Sequence, residues 1–197
     1  MQEKFFENKK AIIVMIAGCF VVLFSMGIRQ SWGLFYLFFE NDLGINRTQF
    51  GFAIGVQMLL WGLTAPFFGI IADKYGSNKA AFIAFLIYIV GTYIVLVQPA
   101  SSSIFTLSMG LIIGTALGGT AVSVPVAAVG KYFSDKNRTI STGIVTGSAS
   151  IGFFVLPIFT KYSNEFYGWH HTVLYYIYFL VFAAICSLFL FKKEYVD

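Results

Sequence analysis

QFGFAIGVQMLLWGLTAPFFGIIADKYGSNK, residues 49–79, is the most telling stretch for the fold. Residues 49–72 carry no charged side chain, and the run is about as long as a helix needs to cross the hydrocarbon of a bilayer, roughly 20 residues. Charge then arrives at once, with Asp73, Lys74 and Lys79 in one short polar run before the chain turns apolar again at Ala80. An uncharged helix-length segment that ends abruptly in a polar turn reads as a membrane span and its loop.

The same reading extends outward. Five further apolar runs, 11–39, 80–97, 104–130, 139–160 and 172–191, are joined by the short polar stretches 40–48, 98–103, 131–138 and 161–171. None of these connections is long enough to hold a soluble domain. The chain is 58% hydrophobic and 11% charged, with a mean hydropathy of +0.79. A soluble domain carries about 25% charged residues, and a greasy soluble bundle of 197 residues could not cover its surface with so few. The expectation is an all-α membrane protein of six transmembrane helices: an N-terminal tail over 1–10, a bundle over 11–191 and a short end over 192–197.

Orientation follows from where the basic residues fall. Lys4, Lys9, Lys10, Lys74, Lys79, Lys131, Lys136, Arg138, Lys192 and Lys193 lie on one side, and Arg47 and Lys161 on the other. The positive-inside tendency then puts both termini in the cytoplasm, in a multi-pass protein of the plasma (inner) membrane. The net charge of +4 does not point to nucleic acid, because no basic face is interleaved with aromatics. Lys9 and Lys10 followed by Ile16-Ala17-Gly18-Cys19 resemble a lipoprotein processing box, but the chain stays apolar well past Cys19. An uncleaved first span is therefore expected. Cys19 and Cys186, without CxxC spacing, read as small core hydrophobes.

Helices in lipid associate through small residues and interhelical hydrogen bonds. Gly51, Gly55, Gly62 and Gly69 keep one face of span 2; Gly110, Gly114, Gly118 and Gly119 make a ridge on span 4; Gly143, Gly147 and Gly152 mark span 5. Spans 1, 2, 4 and 5 are expected inside, with the Phe-, Ile- and Tyr-rich spans 3 and 6 outside. Pro66, Pro125 and Pro157 predict kinks.

The turn after span 2 resembles the signature loop of the major facilitator superfamily, G-x-x-x-D-[RK]-x-G, with Gly69, Asp73, Lys74 and Gly76 at the matching places. Ser77-Asn78-Lys79 departs from the adjacent basic pair usual there. GGTAVSVPVAAVGKYF (118–133), DKNRTISTGIVTGSASIG (135–152) and Gly168-Trp169 are similar to the corresponding regions of that family. Residues 27–57 look most like the monocarboxylate and oxalate–formate group. Two signatures found elsewhere in the family are missing, an Arg near Gly110 and a Gly-Pro pair in span 5. The resemblance implies the N-terminal half of a twelve-span transporter, built of two inverted three-helix repeats. It further implies a second six-helix half or another copy of the chain as partner, and residues 192–197 as the start of an inter-half linker. The signature residues, with Arg138, would form a cytoplasmic latch in which Asp73 pairs with a helix start or a basic side chain.

Arg29 is the charged residue that falls well within a span. Burying it near mid-bilayer costs about 2.5–3.5 kcal/mol on insertion scales. It snorkels, or makes a structural interhelix contact, or faces a wet cavity and binds an anion; a guanidinium fork suits a carboxylate. Gln57 at similar depth, Tyr36 seven residues beyond Arg29, and the hydroxyls of Thr115, Thr120, Ser123 and Thr146 are candidate companions. Gln57 alternatively bonds a neighbouring carbonyl, and Ser and Thr often bond their own helix. No Asp or Glu falls within the six runs, so no proton-carrying carboxylate is visible for a symporter or antiporter. Asn46-Arg47-Thr48 is a formal glycosylation sequon, and His170 and His171 read as interfacial residues rather than metal ligands. No nucleophile–base set or phosphate loop points to an enzyme, and no cofactor is expected. The leading expectation is alternating-access transport of a small organic anion, a mono- or dicarboxylate. The rivals are a non-transporting scaffold half and an exporter of lipophilic compounds.

Overall fold

The computed structural model describes residues 9–98 and 101–191. Most of the expected 1–10 tail and all of 192–197, with Lys4, Lys192 and Lys193, lie outside the described residues. Among the described residues every regular element is helical, and five helices are long and apolar enough to cross a membrane: α1 (Lys9–Leu43), α2 (Arg47–Tyr75), α3 (Ser77–Val97), α4 (Ser102–Gly130) and α5 (Asp135–Ser187).

The ends of these helices have local causes. α1 runs past the expected end at residue 39, so Glu40 and Asp42 stand on it, and it stops at Gly44, whose φ of 65° suits glycine. Asn46 caps α2 with a reciprocal box: its side chain accepts from the Gln49 amide at 2.9 Å, and Gln49 accepts from the Asn46 amide at 3.0 Å. α2 and α3 are separated by Gly76 alone, at φ 104° and ψ 143°, a conformation that a side chain would strain. The final glycine of the signature loop thus makes the turn.

Two helices are irregular inside. α4 opens as an α-turn, continues as a π-helix over Thr106–Ile112 and breaks at Ala121 and Val122. Pro125 accounts for the break, since its ring displaces the carbonyl four residues earlier, that of Ala121. Pro66 and Pro157, by contrast, lie inside helices that continue through them. α5 has 53 residues, which would be about 80 Å if straight, against roughly 30 Å of hydrocarbon. It is not straight. Gly168, at φ 80° and ψ 166°, folds the arm 169–187 back on the arm 135–167. The Phe159 and Phe179 rings consequently meet at 5.3 Å, and the Thr160 and Tyr176 hydroxyls share a hydrogen bond of 2.5 Å.

Glycine decides which helices touch. A Cβ on Gly114 would lie 2.8 Å from the Gln57 carbonyl oxygen, and one on Gly110 would lie 3.1 Å from that of Ala53, so the α4 ridge is filled by α2. Gly119 meets Ala84 and Phe68, and Gly27 and Gly152 let α1 and the first arm of α5 approach backbone to backbone. The glycines of α2 behave differently. Gly51, Gly55, Gly62 and Gly69 have nothing within 4 Å, and neither have Gly143 and Gly147 on α5. Where the sequence predicts α2 inside, its most apolar window is 11% buried, against 67% for α4 and 44% for α3. α1 and α4 form the interior of this bundle, and α2 shows its glycine face outward.

Candidate functional site

Arg29 sits just before a 3₁₀ turn, Trp32–Phe35, that interrupts α1. It is half-buried, with its guanidinium carbon 4.9 Å from the centre of the Trp61 ring on α2, a cation–π contact. Among the described residues no carboxylate pairs with it. Its Nε is buried without a hydrogen-bond partner. Trp32 and Tyr88 are fully buried nearby, and the Trp32 indole N–H is the hydrogen-bond neighbour of the Tyr88 hydroxyl. Tyr88, on α3, lies close to both the Trp32 indole and the Arg29 charge. Buried polar groups are paired in the great majority of cases. Arg29 Nε, a buried cationic donor without an acceptor, is the exception here, with the Tyr88 hydroxyl near its charge.

The companions expected from the sequence divide. Gln57 is buried and gives its amide nitrogen to the Met109 carbonyl at 3.0 Å, inside the π-helix of α4. The loosened turn presents a carbonyl, and Gln57 ties α2 to it. Thr120 bonds Ser25 across to α1 at 2.8 Å and its own helix at Ala116. Ser123 donates to Gly118 and Thr146 to Thr142, so both hydroxyls serve their own backbone. Thr115 is half-buried, and its carbonyl accepts from Thr64 at 3.2 Å. Tyr36 is displaced around the axis of α1 from the position that unbroken α-helical spacing would give it. Each residue of a 3₁₀ turn advances about 20° more than in an α-helix, so the four residues of Trp32–Phe35 rotate the rest of α1 by about 80°. The Tyr36 ring packs edge-on against Phe50 at 5.7 Å. Trp61 and Tyr88 were not legible as neighbours of Arg29, because nothing in their spacing links three helices; Trp32, three residues beyond Arg29, was the one within local reach.

At the end of α2, past the apolar run, Asp73 accepts a hydrogen bond from Lys131 Nζ at 2.7 Å. The Lys131 ammonium, through this bond and its charge, holds the Asp73 carboxyl below the usual carboxylate range. The pair is exposed, so it adds little to stability; its effect is to tie the end of α2 to the end of α4. Arg138 lies over Gly130 beside it, with Nε 3.1 Å from where a Cβ would stand, and Lys74 lies over the Tyr75 ring. At the opposite end Trp169, next to the Gly168 break, donates to Asp42 at 2.6 Å, and His170 stacks on its ring at 3.6 Å.

Residues 13–197 match the Major Facilitator Superfamily, and the chain belongs to that family of membrane transporters, which are not enzymes. It is similar to the "Probable nitrate transporter NarT" of Staphylococcus haemolyticus, 30% identical over 173 residues, covering 87% of this chain and 44% of that protein. The protein of the same name from Staphylococcus aureus (strain JH9) is 30% identical over 159 residues, covering 79% and 39%, and that from Staphylococcus epidermidis is 26% identical over 172 residues, covering 86% and 43%. The chain thus spans less than half the length of these curated relatives.

Proposed function

We propose that this chain is a six-span half of a secondary transporter that moves a small planar oxyanion by alternating access, with both termini in the cytoplasm. The observation that carries the anion is the uncompensated Arg29, its Nε buried without an acceptor and the Tyr88 hydroxyl near its charge. A guanidinium presents a flat fork of donors, which suits any trigonal oxyanion. A mono- or dicarboxylate is the reading from the residues, and nitrate is the reading from the names of the relatives. The shared chemistry is a flat anion with two oxygens facing the fork.

The break at Gly168 supports counting α5 as two spans, which makes six and allows two inverted three-helix units. The open glycines of α2 and α5 support a second bundle, another half or another copy, as what covers them. Close helix contact in lipid needs such small residues. Uptake of labelled nitrate, formate and oxalate into proteoliposomes tests the proposal. The chain as a proven monomer should take up none of them, and its assembly with a second bundle should show saturable uptake of at least one. Uptake by the monomer, or no anion uptake by the assembly, would count against it.

The Asp73–Lys131 pair, with Gly69, Lys74, Gly76 and Arg138 around it, is assigned as a latch on the cytoplasmic side. Asp73→Asn should cut uptake by the assembled transporter severalfold while membrane insertion and thermal unfolding hardly move. An unchanged uptake rate and unchanged cysteine accessibility from the cytoplasmic side would remove the latch.

A further inference from the structure

One face of α1 starts at Lys9 and continues through Ile13, Ile16 and Phe20 at helical spacing. Facing it are Phe182, Cys186 and Phe189, at the end of α5 and in the turn after it. Between them runs an apolar groove of about 230 Å³. Its inner end is closed by aromatic rings: Phe20 meets Phe182 edge-on at 5.6 Å, and Phe24 meets Phe179 and Phe182 at 5.2 and 5.8 Å. At its other end stand Lys9 and Lys10, both exposed. Among the described residues neither lining segment carries a carboxylate that would neutralise them.

Length and charge select the occupant. Lys9 and Phe20 are about 16 Å apart along the helix at about 1.5 Å per residue. That is close to half of a hydrocarbon layer about 30 Å thick, the depth of one leaflet. A cation pair at headgroup level favours a negatively charged headgroup over a zwitterionic one. We infer that this groove seats one acyl chain of an anionic phospholipid whose phosphate rests on Lys9 and Lys10. This site is separate from Arg29 and does not depend on the transport reading.

The test uses the full chain in phosphatidylcholine nanodiscs doped with a diazirine-acyl probe, either phosphatidylglycerol or phosphatidylcholine, with crosslinks mapped to peptides. The phosphatidylglycerol probe should label residues 13–20 and 182–189 at least about fivefold more than the phosphatidylcholine probe, about fivefold being the preference each lysine confers. Raised salt should shrink the ratio. The pair Lys9→Gln and Lys10→Gln should bring it to about one, whereas Lys9→Arg and Lys10→Arg should keep it, which separates charge loss from misfolding. Cys186→Trp, which fills the groove and leaves the lysines, should reduce labelling by both probes. Equal labelling by the two probes in the parent chain, or an unchanged ratio in the Gln pair, overturns the site and leaves ordinary annular lipid. Labelling by neither probe overturns it too, and means that a protein surface covers the groove.

Discussion

Arg29→Gln should lower anion uptake by the assembled transporter by about a hundredfold while the protein still reaches the membrane. The size follows from the interaction lost. Removing one partner of a buried, hydrogen-bonded charge pair costs about 2–5 kcal/mol, and about 2.8 kcal/mol is a factor of a hundred. The direction follows from the site. Arg29 has no carboxylate partner among the described residues, so removing its charge leaves no buried anion stranded in the empty protein. Its contact with Trp61 is a packing contact that Gln only partly loses. Arg29→Lys should retain some uptake with weaker affinity, because an ammonium keeps the charge and loses the planar fork. Uptake and surface expression measured together separate the readings. If Arg29 only snorkels, both variants match the parent; if its role is structural, the Gln variant fails to accumulate. Parental uptake by Arg29→Gln would exclude the anion contact.

Two glycines that look alike in sequence should respond in opposite ways. A Cβ on Gly118 would run into the Thr64 hydroxyl and would lie 2.8 Å from the Thr64 carbonyl carbon and 2.9 Å from the Ala65 nitrogen. A rotamer change moves a hydroxyl, but not a helix backbone. Gly118→Val should therefore force α2 and α4 apart, at about 1–3 kcal/mol for overpacking of this kind. It should also loosen the Thr64 bond to the Thr115 carbonyl. Gly55 has nothing within 4 Å. Gly55→Val should leave unfolding of the isolated bundle nearly unchanged and instead weaken its association with whatever covers the open face of α2. Thermal unfolding in detergent and crosslinking yield in membranes read the two effects independently. Equal destabilisation of the bundle by both substitutions would remove the distinction between a filled ridge and an open one.

Much of this was legible because it depends on residues near one another along the chain. Apolar runs of bilayer length mark the helices, since a membrane solvates each segment on its own terms. Gly76 and the asymmetry of the lysines are equally local. The glycine ridge on α4 was readable as a contact surface, but a ridge does not name its partner. The same spacing on α2 faces outward here, because which faces meet depends on how helices are arranged in space. The register of Tyr36 against Arg29 depends on structure for a related reason. Seven-residue spacing puts it under Arg29 only if every turn between them is an α-turn, and the 3₁₀ segment is not.

Consecutive residues suffice to establish a membrane-embedded helical chain of the facilitator kind, with one costly charge at Arg29. Hydropathy, charge placement and a short loop signature are all written locally, so no knowledge of the packing is needed to read them. Packing in three dimensions is what made Lys131 answer Asp73 and Trp169 answer Asp42, and what set Trp61, Trp32 and Tyr88 around Arg29. Apart from Trp32, three residues beyond Arg29 on α1, these partners come from segments far apart in the chain, and a hydrogen bond or ring contact forms only where packing brings two side chains within a few ångströms. No periodicity within one helix specifies where another helix will lie.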